Sequence, residues 1–384
     1  VRSIRVTHII TGLSIGGAEK VLLRLLRDMD TDGFKNSVIS ITDKGALSES
    51  MAATGANVAA MGFLKGKVNA IPAARLGAEL RSNKPDLVQT WMYHADLIGG
   101  IAARLTTSAP VLWNLRQSTL DETHSKKSTL RTAMACARLS FSLPSTIVCG
   151  SQSARRVHAD LGYDATKMVV LNNGFDTDIH RHSPEQRTAF RAKLGIPEDS
   201  ILIGNPSRYD PQKDHLTFLQ AAARVAQKVP NAHFVFCGDS ITPENQNLSS
   251  IIQEQGLSER VHILGTLKDI NPFYSGIDIL ALSSAYGEGA PNVIGEAMSA
   301  EVPCLATDVG DSAYLIGDTG LIVPSRNAHV FAGALVSLSQ DSLDSRKAKG
   351  QAARQRIKEH FPLVTMVRRY EDLYRRVYSQ RYDF

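Results

Sequence analysis

Short apolar runs of strand length alternate with amphipathic stretches of helical period along this 384-residue chain, and the alternation is completed twice. In the first half, candidate strands fall at 4–11, 37–42, 58–63, 87–91, 111–116, 147–150 and 168–172. After the first of them, Val21, Leu22, Leu25, Leu26 and Met29 recur at helical spacing with charges opposite. Asn173, Gly174 and Asp176 then make a turn signal, a charged stretch runs to Gly195, and a new apolar strand is expected at 201–206. Further strands are expected near 234–237, 261–264, 279–283, 304–307 and 321–323, after which the chain reads as wholly helical. Strands that are apolar almost throughout, each followed by a helix, demand a parallel sheet covered on both faces. The length exceeds what one core organises, so two such domains are expected. An amphipathic helix at the end of the chain must dock somewhere; the expectation is that 364–384 returns to complete the first domain.

With 43% apolar and 21% charged residues and no low-complexity tract, the chain has the make-up of a globular protein rather than a disordered one. No apolar run reaches the roughly 20 residues that span a bilayer. Residues 1–11 read as strand and turn, without the apolar core or cleavage site of a secretory signal, so a cytoplasmic location is expected. Cys136, Cys149, Cys237 and Cys304 are widely spaced, three of them in strand-like runs, which suits buried structural thiols rather than zinc or disulfides. The net charge of +5 is matched by 341–384 alone, where 11 Lys/Arg stand against six Asp/Glu. That excess suits either a solvated helical face or attraction to an acidic surface; a nucleic-acid partner is not expected.

Three segments carry chemistry. The first strand runs into Thr11-Gly12-Leu13-Ser14-Ile15-Gly16-Gly17-Ala18-Glu19, where a helix begins. Paired glycines at such a turn let backbone amides approach an anion, and the helix start adds a favourable dipole. The spacing is not a dinucleotide fingerprint, and no P-loop lysine follows. Strand 201–206 leads into Ser207-Arg208-Tyr209-Asp210-Pro211-Gln212-Lys213, a loop at a carboxyl end whose Arg208 and Lys213 are two cations suited to a diphosphate. Between strand 279–283 and a helix expected over 291–300 lies Gly287-Glu288-Gly289-Ala290-Pro291-Asn292-Val293-Ile294-Gly295-Glu296. Pro291 suits a first helical turn, and the amides of Asn292, Val293 and Ile294 would then face an anion. Glu288 before the helix and Glu296 inside it can grip different hydroxyls of one elongated ligand. Tight-turn glycines, exposed loop charges and helix-start acids are the plain structural readings of the same residues.

Taken in order, these segments resemble the family 4 retaining glycosyltransferases of the bacterial surface-polysaccharide type. The stretch from Gly287 to Glu296 resembles their two-glutamate motif, with seven residues between the acids. Similar too are the Gly16/Gly17 pair, the Arg208/Lys213 pair, the turn Asn173-Gly174-Phe175-Asp176, the strand end Phe236-Cys237-Gly238-Asp239 and the closing segment Ala306 to Pro324. The resemblance implies the GT-B fold: two Rossmann-like, doubly wound parallel-sheet domains with an interdomain cleft. The first (1–177, completed by 364–384) would serve the acceptor and the second (178–363) the nucleotide-sugar donor. It implies a hexose moved with retention from a UDP-sugar, UDP-glucose or a related UDP-hexose, to a glycan or lipid-linked acceptor, with no metal and no resident cofactor.

Carried over by position, the resemblance makes Arg208 and Lys213 the diphosphate ligands, with Gly16 and Gly17 opposite them. Glu288 would bond the donor sugar's hydroxyls with the backbone of Gly289, Ala290, Pro291, Asn292 and Val293, and Glu296 would hold the ribose. Backbone near Thr266 and Leu267 would read the base. His94, in Trp91-Met92-Tyr93-His94, takes the place of a histidine near the donor sugar's 6-hydroxyl and anomeric centre, and Arg116 is expected on the acceptor side. Ala290 departs from the large aromatic residue many relatives carry, which puts the shape of the donor-sugar pocket in doubt. Asp176-Thr177-Asp178 imitates a D-x-D metal motif but lies in the interdomain turn, so no metal is expected there. The segment from Lys126 to Phe141 joins four cations to Leu130, Met134, Leu139 and Phe141. It suits peripheral contact with an anionic membrane, or simply a helix packed on its own sheet. A phosphorylase on the same fold, or a non-catalytic two-domain sugar-binding protein, remain the alternatives.

Overall fold

The computed structural model describes residues 2–64, 70–120, 123 and 125–382. Two compact units divide the chain, Val1–Gly174 with Leu363–Phe384 and Phe175–Pro362. The first contains β1 (Ile4–Ile10), β2 (Phe34–Ser40), β3 (Asn57–Ala60), β4 (Leu87–Trp91), β5 (Val111–Leu115), β6 (Thr146–Cys149) and β7 (Met168–Val170). The second contains β8 (Ile201–Pro206), β9 (Ala232–Cys237), β10 (Val261–Ile263), β11 (Ile279–Leu282), β12 (Cys304–Thr307) and β13 (Leu321–Val323). The sheet orders are β3-β2-β1-β4-β5-β6-β7 and β10-β9-β8-β11-β12-β13, and every pairing is parallel. In each sheet the order reverses at one place, between β1 and β4 and between β8 and β11. Loops leaving the carboxyl ends of those strands are where open parallel sheets bind ligands.

The strands are buried on both faces because helices cover both. Val6, Ile10, Leu87 and Trp91 face one core of the first sheet, and Ile9, Val88, Trp113 and Ile147 face the other. The second sheet divides in the same way, with Leu202, Leu280 and Ala306 on one side and Ile203, Phe234 and Ile279 on the other. All four cysteines are buried and free. No helix among the described residues is long and apolar enough to cross a membrane.

β2 starts three residues earlier than the apolar run suggests. Lys35 and Asn36 interrupt the pattern, but Phe34 is buried edge-on against Tyr374 with the Arg375 guanidinium 5.0 Å from its ring centre, and it pairs in register with Ile4. β3 is shorter than expected, ending at Ala60, two residues before Gly62 turns at φ +80°.

The closing helix, Leu363–Tyr382, packs on the first unit. Its Leu363, Met366, Val367, Tyr370, Leu373, Tyr374 and Val377 recur at helical spacing and are buried in the core of β1 and β4. Each such side chain contributes about 1.5–3 kcal/mol of burial. Polar bonds fix its register: Tyr374 bonds Gln89 of β4, and the Tyr370 hydroxyl accepts from Asn114 (3.0 Å) and Arg116 (2.6 Å). At the crossings into and out of the second unit, Phe175 N donates to the Phe361 carbonyl at 2.9 Å and Phe175 bridges to Pro362.

Candidate active site

The carboxyl end of β8 is braced from several directions. Ser207 Oγ donates to Asn205 Oδ1 at 2.6 Å, and Tyr209 N donates to the Asp239 carbonyl at 2.8 Å. Gly238, at φ +148°, lies against the Ser207–Arg208 peptide so closely that a side chain there would collide with the backbone. Asp210 then caps the short turn Pro211–Lys213 and Asp214 the helix His215–Lys228, accepting from Gln212 N (2.9 Å) and Thr217 N (3.1 Å). Ser283 Oγ, just past β11, donates to the Lys213 carbonyl at 2.8 Å. Lys213 is therefore aimed from both sides, and its buried ammonium meets Glu288 in an ion pair.

Glu288 is buried in the loop after β11, and Ser284 Oγ donates to its Oε1 at 2.6 Å. Burial alone would raise this carboxyl; the Lys213 charge, the bonds from Lys213 and Ser284 and the charge of Arg208 outweigh it and hold it below the usual carboxylate range. Arg208 is half exposed and donates to Asp210 (3.2 Å) and Gln212 (3.1 Å), exposed contacts of small worth that a phosphate can displace. Gly310, at φ +64°, lies so close to the Glu288–Gly289 backbone that even a methyl group would overlap it, and Asp311 N donates to the Gly289 carbonyl at 2.8 Å.

The helix Asn292–Ser299 begins one residue later than expected, because Pro291 is its cap, with ψ at 113°, rather than its first helical residue. Ala290, Asn292 and Val293 are partly exposed on this approach. Glu296, buried inside the helix, accepts from the Tyr274 hydroxyl at 2.8 Å. Thr266 and Leu267 lie in the loop after β10, Thr266 exposed and Leu267 half-buried. The structure thus gathers Arg208, Lys213, Glu288 and the Gly289–Val293 loop at the β8/β11 reversal.

In the first unit the corresponding loops leave β1 and β4. Gly16, at φ −145°, precedes the helix Gly17–Asp28 without a side-chain cap, and a side chain at Gly16 would strike the Glu19 carboxylate. Burial raises the Glu19 carboxyl, a backbone bond opposing it. His94 follows β4 and is half-buried, which lowers its pKa and favours the neutral ring. It precedes a π-helical turn, Ala95–Gly99, and follows Met92 at φ +71°, a left-handed conformation that costs a non-glycine residue about 1–3 kcal/mol. Behind it Thr90 donates to the buried Asp96 at 2.5 Å, and Tyr93 bonds His158 at 2.7 Å. Arg116 has its guanidinium 5.3 Å from the Trp91 ring centre and donates to Asn114, Asn173 and Tyr370 at 2.6–2.8 Å. A ligand there would compete with all three.

Residues 15–179 match the family described as Glycosyltransferase Family 4, and residues 186–356 match that described as Glycosyl transferases group 1. The chain belongs to glycosyltransferase family 4. It is 25% identical over 301 residues to the UDP-Gal:alpha-D-GlcNAc-diphosphoundecaprenol alpha-1,3-galactosyltransferase of Escherichia coli, covering 77% of this chain and 76% of that protein. It is 28% identical over 207 residues to the lipopolysaccharide core biosynthesis glycosyltransferase LpsE of Rhizobium meliloti, 53% of this chain and 56% of that one. Among solved structures, HepE of Anabaena in complex with UDP-glucose superposes with a TM-score of 0.85 at 21% identity, covering 96% and 99% of the two chains. The fold is GT-B, two parallel-sheet α/β domains.

In this glycosyltransferase, Ser284, Tyr274 and Gly310 shape the candidate site, and sequence reasoning had not singled them out. Ser284 and Gly310 look like ordinary loop residues until the fold sets them against Glu288, and Tyr274 reads as a core aromatic. Among the described residues no three or more His, Cys, Asp or Glu side chains gather as a metal site would require. Asp176 instead turns its Oδ1 to the backbone N–H groups of Asp178 (2.9 Å) and Ile179 (3.1 Å).

Because the folded Glu288 carboxyl lies below its ordinary value of 4.5, its stabilising share is full above pH 4.5 and is lost as the pH falls through the lower, folded value. Glu288→Gln removes that share. In urea titrations of the intact chain the variant is expected to unfold earlier than wild type at pH 7 and to lose less stability on acidification below pH 4.5; parallel acid profiles would show that the pair is not coupled as described.

Proposed function

We propose that this glycosyltransferase moves a hexose from a UDP-sugar to a glycan or lipid-linked acceptor with retention of anomeric configuration. The observation that carries the reading is the buried Lys213–Glu288 pair at the end of β8, with Arg208 beside it in the same loop. Departure of a nucleoside diphosphate places negative charge on its leaving oxygen. Lys213, Arg208 and the helix start after Pro291 are positive ends close to where that charge would develop, so they can stabilise it without calling on a metal. Glu288 is poorly suited to be a nucleophile, since Lys213 and Ser284 both engage its Oε1. It suits binding of sugar hydroxyls.

In the transfer, the acceptor oxygen bonds to the anomeric carbon on the face that the diphosphate vacates. The carbon–oxygen bond to the diphosphate breaks, its electrons staying with the phosphate, and the acceptor proton passes to that phosphate oxygen. A neutral His94 can hydrogen-bond a sugar hydroxyl without adding charge. Glu296 would take the ribose and the Thr266–Leu267 loop the base.

A surface of the first unit supports a lipid-linked acceptor, reached from the cytoplasmic face of a membrane. Helix Lys127–Leu139 buries Ala133, Cys136 and Ala137 and leaves Lys127, Arg131, Met134 and Arg138 exposed, with Phe141 exposed beyond its end. Ile101, Arg104 and Leu105 are exposed on the helix Gly100–Thr106, which packs through Gly100 against Leu143. No Asp or Glu occurs at 97–120 or 125–159. Cations interleaved with exposed apolar side chains suit the surface of an anionic bilayer.

Calorimetry with UDP- and GDP-hexoses in the presence of a chelator should find one UDP-hexose that binds, with affinity lowered about 10–100-fold in Arg208→Ala and Glu288→Ala; the turnover product should keep the donor's anomeric configuration by proton NMR. Binding of no member of the panel, or an inverted product, contradicts the reading. The protein should also sediment with vesicles containing phosphatidylglycerol but not with pure phosphatidylcholine, and Arg131→Glu with Phe141→Asp should abolish this; equal sedimentation of the variant would remove the membrane contact from the account.

A further inference from the structure

Tyr274 is wholly buried in the short helix Asn271–Gly276, directly after the loop holding Thr266 and Leu267. Its hydroxyl donates to Glu296 Oε2 at 2.8 Å. The ring cannot swing away from that bond: His180 meets it edge-on with centroids 6.1 Å apart, Phe273 does so at 5.8 Å, and His180 is itself bonded to Asn271 Oδ1 at 2.8 Å. Glu296 sits on a different element, the helix after β11, so one phenol joins the strand-order reversal to the segment that follows β10.

We propose that Tyr274 is a positioning residue for ribose recognition. A carboxylate that grips a vicinal diol must present its oxygens in one plane and stay ionised. A donor held by packing against His180 and Phe273 serves both, because a hydrogen bond to the charged form favours that form and sets its orientation. Without this donor Glu296 would lose part of its aim. The consequence is a specificity device: the site tells a ribonucleotide from a 2′-deoxyribonucleotide through a residue that touches neither. The same brace ties the loop proposed for the base to the carboxylate proposed for the sugar, so base and ribose are met by one rigid piece. This inference rests on the nucleotide-sugar reading given above.

The test is the ratio of UDP to 2′-deoxy-UDP dissociation constants, measured by calorimetry on the intact wild-type chain, Tyr274→Phe, Glu296→Gln and Phe331→Leu. Wild type should prefer UDP, and Glu296→Gln should lose most of that preference. Tyr274→Phe, which keeps the ring and its packing, should shrink the preference by about tenfold, the worth of one well-placed bond to a charged group. Phe331→Leu loosens the core on the other face of the same sheet and leaves the packing around Tyr274 intact, so it should leave the ratio near wild type while lowering the melting temperature. An unchanged ratio in Tyr274→Phe, or an equal loss in Phe331→Leu, overturns the role given to Tyr274. If wild type binds neither nucleotide, the nucleotide-sugar reading itself falls, an outcome plainly different from a retained ratio.

Discussion

A carboxylate taken out of water costs several kcal/mol unless a cation meets it, and Glu288 is met by Lys213. Much of the second unit's candidate site can be understood as what that pairing requires. Lys213 must leave β8 in one direction, so its loop is capped by Asp210 and Asp214 and tied by Ser283. Glu288 must hold its position in a loop, so Gly310 lies against its backbone and Asp311 binds the next carbonyl. The pair is weak evidence for stability, since an apolar pair of the same volume would serve as well or better. On the proposed function its value is that it keeps an ammonium desolvated beside the place proposed for the diphosphate, while the carboxylate stays charged as an acceptor.

The first unit shows a different economy. The wholly buried strands β4 and β5 end in a polar network, Asn114, Arg116, Asn173 and Tyr370, that secures a helix arriving from the far end of the chain. Two non-glycine residues of this unit take a left-handed backbone, Lys84 at φ +44° and Met92 at φ +71°, and Met92 lies beside His94. A side chain held next to a left-handed residue and a π-helical turn is positioned by the backbone more than by its own contacts, which is how a half-buried neutral histidine can be offered to a ligand without an ion-pair partner.

Strand and helix periodicity made the two sheets legible, because parallel strands buried on both faces leave long apolar runs. Strand ends were legible only where a turn residue coincides with them: Lys35 and Asn36 hid the start of β2, whose Phe34 owes its burial to the distant closing helix. The acids Glu288 and Glu296 and the cations Arg208 and Lys213 stood out as charges at the ends of apolar strands. Tyr274 did not, because a buried tyrosine in a core helix carries no periodic signal; only its hydroxyl's partner 22 residues away distinguishes it. Gly310 was hidden for a similar reason, since its need for a hydrogen side chain comes from a backbone that only the fold brings near.

The most direct test of the central claim is UDP affinity across Lys213→Met, Glu288→Gln and the double variant. Lys213→Met removes a cation and leaves a buried carboxylate facing the diphosphate, so it should bind UDP worst of the three; adding Glu288→Gln removes that repulsion, and the double variant should regain about tenfold in affinity over Lys213→Met. A double variant that binds no better than Lys213→Met would mean that the two groups act independently, and the account built on their pairing would be wrong.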